Sequence, residues 1–83
     1  SASGRFLVLR VIMNDRPGEL ARLSTRVSAM GLNILAVEHH RSGLLLPPDQ
    51  VEVMLTLETR NPDHRDEVVT ALRGAGYEVE RKV

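Results

Sequence analysis

The chain has 83 residues, no cysteine and a formal net charge of zero, eleven basic side chains against eleven acidic ones. That length makes one domain, which on folding hides only roughly 60% of the surface its unfolded chain exposes, so burial against a partner would add stability. The charge balance leaves no footprint for nucleic acid or an anionic membrane, the lack of cysteine excludes disulfides and thiolate metal sites, and no leader or bilayer-spanning run is visible, so a cytoplasmic protein is the expectation.

Ser1-Ala2-Ser3-Gly4 is small, polar and patternless and reads as an expression remnant, which puts the domain at 5–83. Phe6 to Met13 reads as a strand apolar on both faces, with Leu7, Leu9, Val11 and Met13 on one and Phe6, Val8, Arg10 and Ile12 on the other. The second face then needs cover, from another layer or from a second subunit. Asn14 to Leu20 stops this run. Pro17 fixes its own φ, lacks an N–H and pushes Arg16 out of helical geometry, so a helix is expected to begin at or near Pro17. Gly18 keeps the first turn bare, and a small anionic group could sit against the unpartnered N–H groups there. Equally, Asp15 could simply cap the helix while Gly18 helps the chain turn, and local pattern leaves both open.

Leu20, Leu23, Val27 and Met30 recur at helical spacing with Glu19, Arg22 and Arg26 on the far side, and Gly31 ends the helix in a left-handed cap. A strand follows from Asn33 to about Arg41. Ser42 to Asp49 holds Gly43, Pro47 and Pro48, and its Leu44-Leu45-Leu46 triplet predicts a tucked-in or partner-contacting loop. Gln50 to Arg60 alternates cleanly, with Val51, Val53, Leu55 and Leu57 inward and Glu52, Met54, Thr56 and Glu58 outward. Asn61 is an N-cap before Pro62, with Asp63, Asp66 and Glu67 in the early turns and Val68, Val69, Leu72 and Ala75 as the apolar stripe. Gly76 is expected at the helix end, after which Tyr77 and Val79 alternate with Glu78 and Glu80 in a last strand.

The order βαββαβ is the split βαβ arrangement, an α+β ferredoxin-like sandwich with a four-stranded antiparallel sheet and two helices on one face. Many functions share it, so the residues must decide. Base-stacking RNA binders need aromatic residues on the sheet, and this chain has only Phe6 and Tyr77. Soft-metal carriers need a cysteine pair in the first turn. A phosphoryl-handling enzyme of the acylphosphatase kind would find the right residue types in Arg16 and Asn33, but not the glycine pattern that cradles phosphate. His39 and His40 are adjacent on a strand and point to opposite faces, so they cannot ligate one metal from the same side, and His64 has no acid and nucleophile arranged around it. All three read as surface or interface residues. No catalytic or metal constellation is visible.

The motif Asp15-Arg16-Pro17-Gly18-Glu19-Leu20, then Gly31-Leu32-Asn33-Ile34, in a βαββαβ frame, resembles the ACT domain, a small regulatory module that binds an amino acid or similar ligand and is appended to metabolic enzymes. The second half, with Val37-Glu38-His39-His40-Arg41, Val51-Glu52-Val53, Leu57-Glu58-Thr59-Arg60 and Ala75-Gly76-Tyr77-Glu78-Val79, resembles the C-terminal ACT domain of pyridoxal-phosphate-type threonine dehydratases, which deaminate threonine on the path to isoleucine. The resemblance implies a non-catalytic domain giving allosteric feedback control, with pyridoxal phosphate held only by the parent catalytic domain. It places an amino-acid ligand, isoleucine or valine by preference, on Met13, Asn14, Asp15, Arg16, Pro17, Gly18, Glu19 and Leu20, with Asn33 and Ile34 often contributed by a neighbouring subunit. In that pose Asp15 takes the ammonium group, backbone N–H groups near Gly18 take the carboxylate, and Asn33 bonds across the interface of a homodimer. The rival expectation is a dimerisation module whose turn binds nothing.

Overall fold

The computed structural model describes residues 6–40, 48–59 and 62–82. Its elements run β1 (Phe6–Asn14), α1 (Glu19–Ala29), β2 (Asn33–His40), β3 (Gln50–Glu58), α2 (Pro62–Gly74) and β4 (Glu78–Arg81), which is the expected βαββαβ order. The strands form one antiparallel sheet in the order β2-β3-β1-β4. Ser1–Arg5, Arg41, the Leu44-Leu45-Leu46 loop and the Asn61 cap lie outside the described residues.

Alternation along β1 and β3 decides where the core sits. Leu7, Leu9, Val11 and Met13 pair across the ladder with Leu57, Leu55, Val53 and Val51, and all eight are buried. They share one cluster with Leu23 and Val27 of α1 and Val68, Val69 and Leu72 of α2, so both helices cover the same sheet face. Leu20 and Met30 pack at the margin of this cluster, which completes the stripe expected for α1. In α2 the stripe is shorter than the spacing suggests. Ala75 is exposed because it is the residue at which the helix stops, and the buried position one turn before Val68 is His64, only 7% exposed. Its position inside the fold replaces the surface or interface site expected from the sequence.

The opposite sheet face is less apolar than β1 alone implies. Arg10, in mid-strand, donates from Nε to Glu52 at 2.6 Å and from Nη1 to Glu80 at 3.4 Å. The hydrogen bond to Glu52, reinforced by the nearby carboxylates, raises the guanidinium pKa above its ordinary value despite partial desolvation. Arg10 shares this face with Val8 and Ile12, so its ion pairs make the face partly charged, and Ile12 is only 7% exposed. Among the described residues the large exposed apolar ones are instead Phe6 and, on the edge strand β2, Leu35 at 50% and Val37 at 41%. Leu35 is the extra residue of a bulge where the β2–β3 register shifts between Ile34 and Ala36.

Both helices end in glycine caps. At α2, Gly76 takes φ 99° and donates to the carbonyl of Arg73 while Tyr77 donates to that of Leu72, a Schellman arrangement in which the Tyr77 ring folds back on the core. Arg73 then holds the start of β4 with two bonds to the Val79 carbonyl, at 2.9 and 3.3 Å. The corner between α2 and β4 is thereby fixed by backbone and side chain together.

Candidate functional site

The turn after β1 is a type II turn with Pro17 and Gly18 at its centre. Glu19 N–H donates to the Arg16 carbonyl at 3.2 Å, and Gly18 has φ 89° and ψ −14°, the left-handed geometry that position requires. A Cβ on Gly18 would meet nothing within 4 Å, so a side chain there costs only its backbone strain, about 1–2 kcal/mol. Because Gly18 is spent on the turn, α1 begins at Glu19, two residues later than the proline by itself suggests. Gly18 becomes the N-cap residue, its carbonyl accepting from Arg22 N–H at 3.0 Å. No side chain caps this end, so Asp15 is not the cap. Its own N–H bonds the Asp49 carbonyl at 2.8 Å, tying the turn to the approach of β3.

The sequence-derived site residues fall in two places. Asn14 is exposed at the end of β1, Asp15 is half-buried beyond it, and Arg16, Pro17 and Gly18 are exposed. Met13 points into the core and Leu20 packs against it. Asn33 and Ile34 lie at the other end of the sheet. Asn33 pairs with Glu58 and Glu58 with Phe6, whereas Asn14 pairs with Gln50, so within one chain the two groups are separated by the length of β1, about 27 Å for nine residues. Asn33 Nδ2 already donates to Glu58 Oε1 of the same chain, at 3.3 Å. Ile34, paired with Leu57, is partly buried against the core.

What the turn does adjoin is a cleft of about 390 Å³. Its walls are Ile12, Met13 and Asn14 of β1, Glu19, Arg22 and Arg26 of α1, Gln50 at the start of β3, and the corner from Ala75 to Glu78. Antiparallel pairing is the cause: it sets the start of β3 and the start of β4 beside the end of β1, where α1 also begins. Three sequence-derived residues, Met13, Asn14 and Glu19, line it. Gln50, Arg22, Arg26 and the Tyr77–Glu78 corner were not foreseen, and the only trace of them in the sequence is that Glu19, Arg22 and Arg26 recur on one side of α1. The Glu19 carboxylate lies 3.7 Å from Arg22 Nη1. Among the described residues no group of three or more histidine and carboxylate side chains is placed to hold a metal, and no helix is long and apolar enough to cross a membrane.

A βαββαβ domain whose first turn carries Arg-Pro-Gly is the frame of one regulatory family. The family model of the ACT domain matches residues 7–76, and the chain belongs to that family: it is a regulatory domain and not itself an enzyme. It is 43% identical over 79 residues to L-threonine ammonia-lyase of Geobacter sulfurreducens, covering 95% of this chain and 20% of that protein. To L-threonine ammonia-lyase of Thermotoga maritima it is 38% identical over 77 residues, covering 93% of this chain and 19% of that protein. The chain thus spans about a fifth of the length of these curated relatives. Among solved structures, the C-terminal domain of the MgtC protein from Mycobacterium tuberculosis superposes with a TM-score of 0.62 over 99% of this chain and 92% of that one, at 13% identity, a likeness of fold.

Proposed function

We propose that this domain binds a free amino acid at its first turn and thereby gives feedback control of a threonine ammonia-lyase catalytic domain, with isoleucine or valine as the favoured ligand. The observation that carries this is the uncapped start of α1. The Pro17-Gly18 turn leaves backbone N–H groups and the positive end of the helix dipole without a side-chain cap, and the same turn carries Asp15, so it holds both chemistries that a zwitterion needs, in a chain of the ACT family. The proposed site comprises Met13 to Leu20, completed by Asn33 and Ile34 of a second copy, since those two are a strand length away in their own chain. Pyridoxal phosphate belongs to the parent catalytic domain in this reading, and the cytoplasm is its compartment.

Asp15→Asn tests the site. Since no side chain caps α1, the substitution forfeits no helix cap, and because the amide keeps an oxygen acceptor for the contacts Asp15 makes within the chain, the stability from unliganded urea melts should change by less than about 1 kcal/mol. Losing the charge removes a charge-assisted hydrogen bond to the ligand's ammonium group worth roughly 1.5–3 kcal/mol, so isoleucine should bind ten- to a hundredfold more weakly by calorimetry. Unchanged affinity would take Asp15 out of the site.

A homodimer is the second part of the proposal. Leu35 and Val37 stand exposed on β2, an edge strand, where a second copy would cover both the side chains and the free backbone groups. Sedimentation at micromolar concentration should return about twice the chain mass. A monomer at that concentration would separate Asn33 from the turn and remove the interface half of the site.

A further inference from the structure

Both ends of the described chain leave the sheet at the same end. β1 enters at Phe6, and beside it the chain runs out through β4 to Lys82, whose N–H donates to the Val8 carbonyl at 2.8 Å. A catalytic domain joined at either terminus is therefore rooted here, separated from the ligand turn of its own chain by the length of β1, about 27 Å. The residues across this end form one row. Phe6 pairs with Glu58 and Glu58 with Asn33, so the three side chains share a face, and Asn33 Nδ2 donates to Glu58 Oε1 at 3.3 Å. Phe6 closes the row and is 36% exposed.

Asn33 is also the residue that a second copy lends to the turn site. Pairing β2 with β2 about a twofold axis inverts the second copy, which brings its Asn33 end to the level of the first copy's turn. We infer that an amino acid held at the turn of one copy acts on the catalytic domain joined to the other copy, through the row Asn33, Glu58 and Phe6 of that other copy. This rests on the two-copy turn site proposed above and adds the direction in which its signal runs. Reaching the ligand turns the Asn33 amide away from Glu58, and the Glu58 carboxylate resettles beside Phe6, at the root of the joined domain. The exchange costs little, because the bond is exposed and, at 3.3 Å, longer than the usual N–H···O distance. Within one copy the route is poorer. Turn and root stand at opposite ends of β1, a strand held by ladders on both sides and buried along one face.

Mixed dimers test this on the 83-residue chain itself. Asp15→Asn and Asn33→Ala are each expected to weaken isoleucine binding about tenfold or more when alone. In a dimer of one with the other, one site carries both substitutions and the second carries neither, so mixing should restore wild-type affinity at half of the sites. Asp15→Asn is then labelled with 15N, mixed with an excess of unlabelled Asn33→Ala, and its amide NMR spectrum is followed at isoleucine concentrations near the wild-type Kd. The ligand sits at the turn of the unlabelled copy. Expected on the labelled copy are shifts at Asn33, Glu58 and Phe6, with Gly18 and Glu19 unmoved, relative to the same mixture without isoleucine. With the label on Asn33→Ala instead, the shifts should fall on Gly18 to Leu20 while Glu58 and Phe6 stay still. Restored affinity with shifts that stop at Asn33 and Ile34, or with Phe6 moving only in the copy whose turn is intact, would overturn the crossed signal and leave the turn site standing. Mixing that restores nothing would overturn it by removing Asn33 from the site. A wild type that does not bind isoleucine would end both readings together.

Discussion

Isoleucine at a hundred times its Kd is expected to raise the melting temperature by roughly ten degrees or more. A ligand that binds only the native state adds RT ln(1 + [L]/Kd), about 2.7 kcal/mol at that excess, and a domain of this size shifts by about 4–8 °C per kcal/mol. Valine should follow, with threonine and acidic amino acids giving smaller shifts. The expectation of a branched side chain comes from the resemblance and is only partly supported by the residues around the turn. Met13 borders the cleft, but Leu20 is committed to the core and Ile34 reaches a ligand only from a second copy. Thermal melts with each of the twenty amino acids check it. No response to any of them would leave a dimerisation module as the better account of the domain.

Leu55→Ala should be among the most damaging single changes. Leu55 is 1% exposed and sits on β3, an inner strand, paired with Leu9 on one side and Val37 on the other. Deleting its side chain leaves a cavity beneath the two helices and costs about 2–5 kcal/mol. For a domain of this length the whole stability is about 4–12 kcal/mol, so the variant stands near the edge of folding. The urea midpoint should fall by that amount at unchanged slope, measured at several protein concentrations to separate folding from association. A loss under about 1 kcal/mol would mean that the neighbouring side chains close the gap.

The elements were legible in the sequence wherever a local signal carried them. Alternation from Val51 to Glu58 defines β3, Asp63 and the Val68-Val69-Leu72 stripe define α2, and the glycines at 31 and 76 end the two helices as expected. The opposition of His39 and His40 also holds, His39 standing across from core-facing Val53 and His40 from Glu52 on the outer face. Errors arose where one local feature had two uses. Gly18 could extend a helix or complete a turn with Pro17, and only the second leaves Asp15 free of the capping role. The cleft was hidden for a different reason. Gln50, Arg26 and Glu78 are far apart in the chain and border one cleft because antiparallel pairing sets the starts of β3 and β4 beside the end of β1, near which α1 also begins, a consequence of register that residue spacing does not encode. The same applies to Arg10, whose carboxylate partners lie 42 and 70 residues away and turn an apparently apolar face into a charged one.

The two edges of the sheet differ in a way that bears on how assembly ends. β2 offers eight residues, with a bulge and two exposed apolar side chains. β4 offers four, Glu78-Val79-Glu80-Arg81, three of them charged. A short charged margin is a poor template for strand addition, whereas a longer apolar one accepts it readily. Pairing through β2 about a twofold axis uses up the receptive margin of both copies and leaves only the two β4 margins outward. In a dimer of that kind growth would stop at two, because the four-residue, mostly charged β4 would offer little to a further strand.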